Sequence, residues 1–130
     1  MRASLSTIFA RIFRWGRVVE PAWVHGNPIV APPAGSTLVS KTVSSGKQGF
    51  IYGLMITVPE PNAVLVSWVS SGTSRTVRIE FGGKGTLKDS SPIPLNEGYP
   101  ADPGTNISIS VVNAGSAGLT YQASLLVGEV

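Results

Sequence analysis

The chain has 130 residues, of which 42% are apolar and 13% charged, about half the usual charged share, with a mean hydropathy of +0.22. That length suits one domain with its own core, and so few charges suit a surface that faces other protein. Cysteine is absent, which excludes disulfides, thiolate metal sites and a cysteine nucleophile. The net charge of +3 belongs to residues 1–20, where Arg2, Arg11, Arg14 and Arg17 stand against Glu20 alone. Residues 21–130 carry six basic and six acidic residues. Their composition therefore gives no basic face for nucleic acid.

The first segment is expected to be a basic amphipathic helix within residues 1–20. Leu5, Ile8, Phe9, Ile12 and Phe13 recur at i, i+3, i+4, i+7 and i+8, so they share one helical face over residues 4–15. Arg11 and Arg14 project from the opposite face, and Trp15 and Arg17 sit at the exit. Ser4 or Ser6 can cap the start, and Gly16 the end. Such a helix can lie on its own domain, grip a neighbouring subunit, or rest on a membrane surface, where arginine opposite phenylalanine and tryptophan is well placed. Four arginines are few for nucleic-acid packaging. Arginine, serine and apolar residues without an acid before Glu20 also resemble an organellar transit peptide, whereas Arg11 and Arg14 interrupt any secretory signal. No run approaches the roughly 20 apolar residues of a membrane span.

Residues 21–35, PAWVHGNPIVAPPAG, form a Pro-rich extended arm. Pro21, Pro28, Pro32 and Pro33 preclude a helix, while Trp23, Val24, Ile29 and Val30 are too apolar for a free linker. At roughly 3 Å per residue such an arm spans up to about 45 Å. That reach would let the helix leave its own body. His25 is the single histidine and, without a second ligand, reads as a surface or packing residue.

Residues 36–130 read as a β-sandwich domain. TLVSKTVS, GFIYGLMITV, AVLVSWV and RTVRIEF are strands; in the last, Val77, Ile79 and Phe81 face one way and Arg78 and Glu80 the other. Weaker strands are expected at Thr86–Lys88 and Pro92–Leu95, then a turn-rich loop, NEGYPADPG. TNISISVV and LTYQASLLVGEV close the chain, with Ile107, Ile109 and Val111 in phase, then Leu119, Tyr121, Ala123, Leu125 and Val127. Seven or eight strands with frequent turns predict an all-β antiparallel sandwich or barrel. Residues 51–58 and 64–69 are apolar on both faces. An antiparallel sandwich usually keeps one face wet, so something is expected to cover the outside: the helix, the arm or another subunit.

Chemistry is sparse. The acids Glu60, Glu80, Asp89, Glu97, Asp102 and Glu129 are scattered, with no close pair for acid–base work. Ser44-Ser45-Gly46-Lys47 matches S-x-x-K only formally, since that chemistry needs one helical turn. GGKGT lacks the phosphate-loop spacing. Asn106-Ile107-Ser108 is a glycosylation sequon that opens a strand. No cofactor, metal, small-molecule substrate or enzymatic activity is expected.

An N-terminal arm followed by a body with GFIYGLMITV, ISISVVNAGSAG and YQASLLVGEV resembles the small single jelly-roll structural proteins of virus and phage particles. The resemblance covers roughly residues 36–130. It implies a single jelly-roll-like sandwich acting as a capsid, vertex or decoration subunit of a virion. Its partners would be copies of itself and other structural subunits, or an internal membrane met through residues 1–17. The assembly or membrane contacts would be Leu5, Ile8, Phe9, Arg11, Ile12, Phe13, Arg14, Trp15, Arg17 and Trp23. Two other classes compete. An extracellular filament subunit would donate residues 21–35 as a strand, although four prolines make poor ladder donors. A carbohydrate-binding module would need an exposed aromatic platform, which Trp15, Trp23 and Trp68 do not form in sequence.

Overall fold

The computed structural model describes residues 12–14, 17–82, 85–88 and 98–130, with the backbone alone for 12–14, 17–19 and 85–88. Twelve strands are present among them: β1 (Ile12–Arg14), β2 (Arg17–Val19), β3 (Ala22–His25), β4 (Ile29–Val30), β5 (Thr37–Thr42), β6 (Gly49–Val58), β7 (Asn62–Ser70), β8 (Thr73–Phe81), β9 (Gly85–Lys88), β10 (Tyr99–Ala101), β11 (Asn106–Val111) and β12 (Thr120–Glu129). They form an all-β sandwich of two antiparallel sheets, plus the separate hairpin β1–β2.

Sheet I is centred on β6 and β12. β9 and β10 flank β6, and β3 and β4 flank β12. Sheet II runs β5-β11-β7-β8. The inner faces meet in one core. Sheet I contributes Ile51, Leu54, Ile56, Val58, Tyr121, Ala123, Leu125 and Val127; sheet II contributes Val39, Val64, Val66, Trp68, Ile107 and Ile109. Period-2 alternation places these side chains inward on β7, β11 and β12, as their patterns predict. The outer face of sheet II is hydroxyl-rich instead. Ser40, Ser108, Ser67 and Thr76 lie in one row across its four strands, as expected for a wet face.

β6 departs from simple alternation because it is bulged. Leu126 pairs with Gly53 but Val127 with Ile51, so Tyr52 is an extra residue. The bulge lets Ile51 and Leu54, three apart, both reach the core. It accounts for half of the ambiguity that the sequence shows in residues 51–58.

The structure changes two expectations about the N-terminal region. The helix expected over residues 4–15 does not extend through 12–14. These residues are strand β1, paired with β2 in the register Ile12↔Val19 and Arg14↔Arg17. Ile12, Phe13, Val18 and Val19 have high strand propensity, and only two residues, Trp15 and Gly16, separate the strands, a common hairpin connection length. The rest of that helix lies outside the described residues. The arm is extended, but it is not free to span 45 Å. β3 and β4 pair with β12 of the same chain, so residues 22–30 complete sheet I. Only Glu20 and Pro21 separate β2 from β3, a link of roughly 7 Å. NEGYPADPG also holds a strand, β10, on the edge of β6. The strand expected at Pro92–Leu95 lies outside the described residues.

Candidate assembly surface

The outer face of sheet I carries a second apolar cluster. Phe50, Tyr52 and Leu126 are buried there, with Trp23 and Val130 packed against them. Gly53 lies beneath the indole. A Cβ on Gly53 would lie 3.5 Å from Leu126 Cβ and 3.8 Å from Trp23 Cη2. Trp23 stacks on His25 with ring centroids 6.1 Å apart and planes at 15°. His25 Nδ1 and Ser124 Oγ share a hydrogen bond of 2.8 Å. On the far side of the cluster the backbone of Gly98 closes over Tyr52, where a Cβ would meet the ring at 2.8 Å. The Tyr52 hydroxyl is buried and has no hydrogen-bond partner among the described residues.

Of the residues the sequence proposes as contacts, Trp23 is placed in full: half-buried, on the edge strand of this outer face. Ile12, Phe13, Arg14 and Arg17 lie in the backbone of β1 and β2. Leu5, Ile8, Phe9, Arg11 and Trp15 lie outside the described residues. Trp68 belongs to the core and packs at 5.6 Å from Tyr99, so Trp23 and Trp68 form no shared platform. Sequence reasoning did not foresee the pairing of Trp23 with His25. The signal was there: in an extended strand, residues two apart share a face.

Polar ties hold the loops at the two ends of the sandwich. At one end Glu60 accepts hydrogen bonds from Ser116 Oγ at 2.5 Å, Ser116 N at 2.8 Å and Tyr121 Oη at 2.6 Å. Asn62 donates to Asn113 O and to Tyr121 Oη, both at 2.9 Å, and accepts from the N–H groups of Ala63 and Asn113. At the other end Asp102 accepts from the N–H groups of Ser71 and Gly72 at 2.9 and 2.7 Å, clasping the β7–β8 turn. Glu129 there accepts from Ser44 N at 3.0 Å and faces Lys41 at 3.7 Å. Burial works against its carboxylate, but the Ser44 donors and the nearby lysines outweigh it and hold its pKa below the ordinary value.

The Glu60 cluster sets a pH dependence. Hydrogen bonds from Ser116 Oγ, Tyr121 Oη and Ser116 N lower the Glu60 pKa. A carboxylate depressed in the folded state stabilises it above its unfolded pKa, and that contribution fades as pH falls through the folded value. Tyr121 is raised, by burial first and by its bond to Glu60 next; its contribution is full below pH ~10 and fades as pH rises past the folded value. Thermal melting should therefore shift downward as pH drops below about 4.3. Glu60→Gln should flatten that acid limb without abolishing folding. Asn62→Ala, which strips four partners at a buried site, should cost about 3 kcal/mol at neutral pH.

Among the described residues no group of three or more His, Asp or Glu is placed to hold a metal ion. The His25–Ser124 pair is a structural tie. Ser124 is 3% exposed. No described helix is long and apolar enough to cross a membrane. Comparison with protein-family models, curated proteins and solved structures finds no match to this chain.

Proposed function

We propose that the chain is a non-enzymatic structural subunit of a large assembly, a single jelly-roll capsid or capsid-associated protein of a virus or phage particle. The observation that carries this reading is the strand order. With β3/β4 taken as the first strand and β9/β10 as the sixth, sheet I holds the sixth, third, eighth and first strands, and sheet II the second, seventh, fourth and fifth. That is the double-sheet, two-Greek-key order of a jelly roll, an architecture common in capsid proteins. Fold alone does not assign function. The low charge of the chain supports it independently, since it suits a surface built to meet protein.

The N-terminal segment has a narrower part in this reading than its sequence implies. Its strands β1 and β2 form a hairpin that is tethered two residues from β3. Strand donation to a filament has less support, because β12 is already flanked by β6 on one side and β3 and β4 on the other. Sedimentation of the full-length chain at micromolar concentration tests the proposal. Concentration-dependent growth into large particles is expected, and a stable monomer throughout overturns it.

A further inference from the structure

Three of the four sheet edges are broken or guarded. On sheet I, β3 and β4 are interrupted by Gly26-Asn27-Pro28, while β9 and β10 are short and β10 contains Pro100. On sheet II, β5 is six residues long, is bulged against β11 and carries Lys41. Such devices keep strand edges from pairing with other chains. The fourth edge, β8, is long and unbroken, and its charges, Arg75, Arg78 and Glu80, are of both signs. It runs nine residues from Thr73 to Phe81 without proline, lysine or bulge, and each residue is in register with β7.

The outer edge of β8 is unpaired among the described residues, where the strand pairs with β7 alone. Thr73, Ser74, Arg75, Thr76, Arg78 and Glu80 are exposed. Val77, Ile79 and Phe81 pack on the core margin but remain half-exposed. The two-residue turn, with φ of 54° at Ser71 and 73° at Gly72, makes Ser70–Thr73 a hydrogen-bonded pair. By alternation the odd-numbered residues of β8 bond to β7, and Ser74, Thr76, Arg78 and Glu80 direct their N–H and C=O outward.

We propose that β8 is a homotypic interface: two copies of this chain pair their β8 strands antiparallel about a two-fold axis at Ile79, joining two four-stranded sheets into one of eight. Charge selects the occupant and the register. Each strand carries Arg78 and Glu80 on its outer face, where they already form an ion pair within the chain. Centring on Ile79 sets Arg78 opposite Glu80 of the second copy, twice by symmetry. Shifting the centre to Arg78 or to Glu80 opposes like charges, which is unfavourable in cross-strand pairs. In the chosen register the outward backbone groups of Arg78 and Glu80 bond across the axis. Ile79 meets Ile79, and Val77 meets Phe81, which covers the half-exposed margin of both cores. The contact is isologous and closed.

This inference rests on the chain being an assembling subunit, and the test separates the two ideas. Sedimentation of the full-length chain at low salt should show Arg78→Glu and Glu80→Arg each weakening dimer formation about ten-fold. The double variant Arg78→Glu/Glu80→Arg should restore it. Because the chain lacks cysteine, Ile79→Cys should form a disulfide-linked dimer on oxidation, while Val77→Cys should not, since it faces Phe81 rather than itself. Association that ignores both charge reversals, or equal cross-linking through Val77→Cys, overturns the β8 interface and leaves the assembly reading standing. A wild-type chain that never associates overturns both.

Discussion

Gly26→Ala is expected to abolish the folded state at 25 °C, or to lower its melting temperature by roughly 15 °C, the effect of about 4 kcal/mol on a domain of this size. Gly26 lies where the edge of sheet I crosses sheet II. A Cβ there would sit 2.0 Å from Leu38 O on β5 and 2.9 Å from Ala123 O on β12. Both are backbone atoms of paired strands, so neither can swing aside as a side chain would. Gly26 is also bonded at both of its own groups, N–H to Ala123 O and C=O to Gln122 Nε2, each at 2.9 Å. Two substitutions serve as controls in the same melting experiment. Gly53→Ala adds a methyl at ordinary contact distance, and Gly118→Ala adds one in open space with φ at +79°, a conformational cost of about 1 kcal/mol. A Gly26→Ala chain that melts like either control would show that the edges of the two sheets do not meet as described.

A chain beginning at Gly35 is expected to be unfolded, whereas one beginning at Glu20 is expected to melt cooperatively. The shorter chain loses β3 and β4, the partners of Ser124–Val127 and of Thr120–Tyr121. It also loses Trp23, Val24 and Ile29, which pack on the two apolar clusters. Burial of three such side chains contributes roughly 1.5–3 kcal/mol each, comparable with the whole stability of a small domain, about 5–15 kcal/mol. The longer chain keeps both sheets complete and, of the described strands, lacks β1 and β2. Circular dichroism and amide hydrogen exchange would read the difference. Cooperative melting of the chain from Gly35 would make β3 and β4 an appended arm, and unfolding of the chain from Glu20 would place residues 1–19 in the body's own core.

The strands of the body are legible because their side-chain period is local. GFIYGLMITV is β6 from end to end, and Leu119, Tyr121, Ala123, Leu125 and Val127 share a face because alternation needs no knowledge of the partner. What stayed hidden depends on partners far along the chain. Trp23, Val24, Ile29 and Val30 are apolar enough for strands, yet the prolines around them read equally as a free arm. Only the open side of β12, about a hundred residues later, decides between the two. The bulge at Tyr52 is likewise set by the register of β12 and leaves no mark in residues 51–58 beyond a broken period. Glu60 and Asp102 read as scattered acids because their donors, Ser116 and Tyr121 for one and Ser71 and Gly72 for the other, are distant in sequence. The periodicity of Leu5 to Phe13 favoured a helix, but Ile12 and Phe13 are as well suited to a hairpin.

The position of β12 has a consequence for how the protein is made. The last strand of the sandwich is an inner strand of sheet I, hydrogen-bonded to β6 on one side and to β3 and β4 on the other. During translation the early strands of that sheet leave the ribosome with their shared neighbour still unsynthesised. β6, apolar on both faces, must wait in the exit vestibule or with a chaperone until residues 120–129 emerge. A message broken before Thr120 therefore yields a polypeptide without the middle of its sheet, fit for proteolysis. The order of strands along the gene acts as a completeness check on every copy.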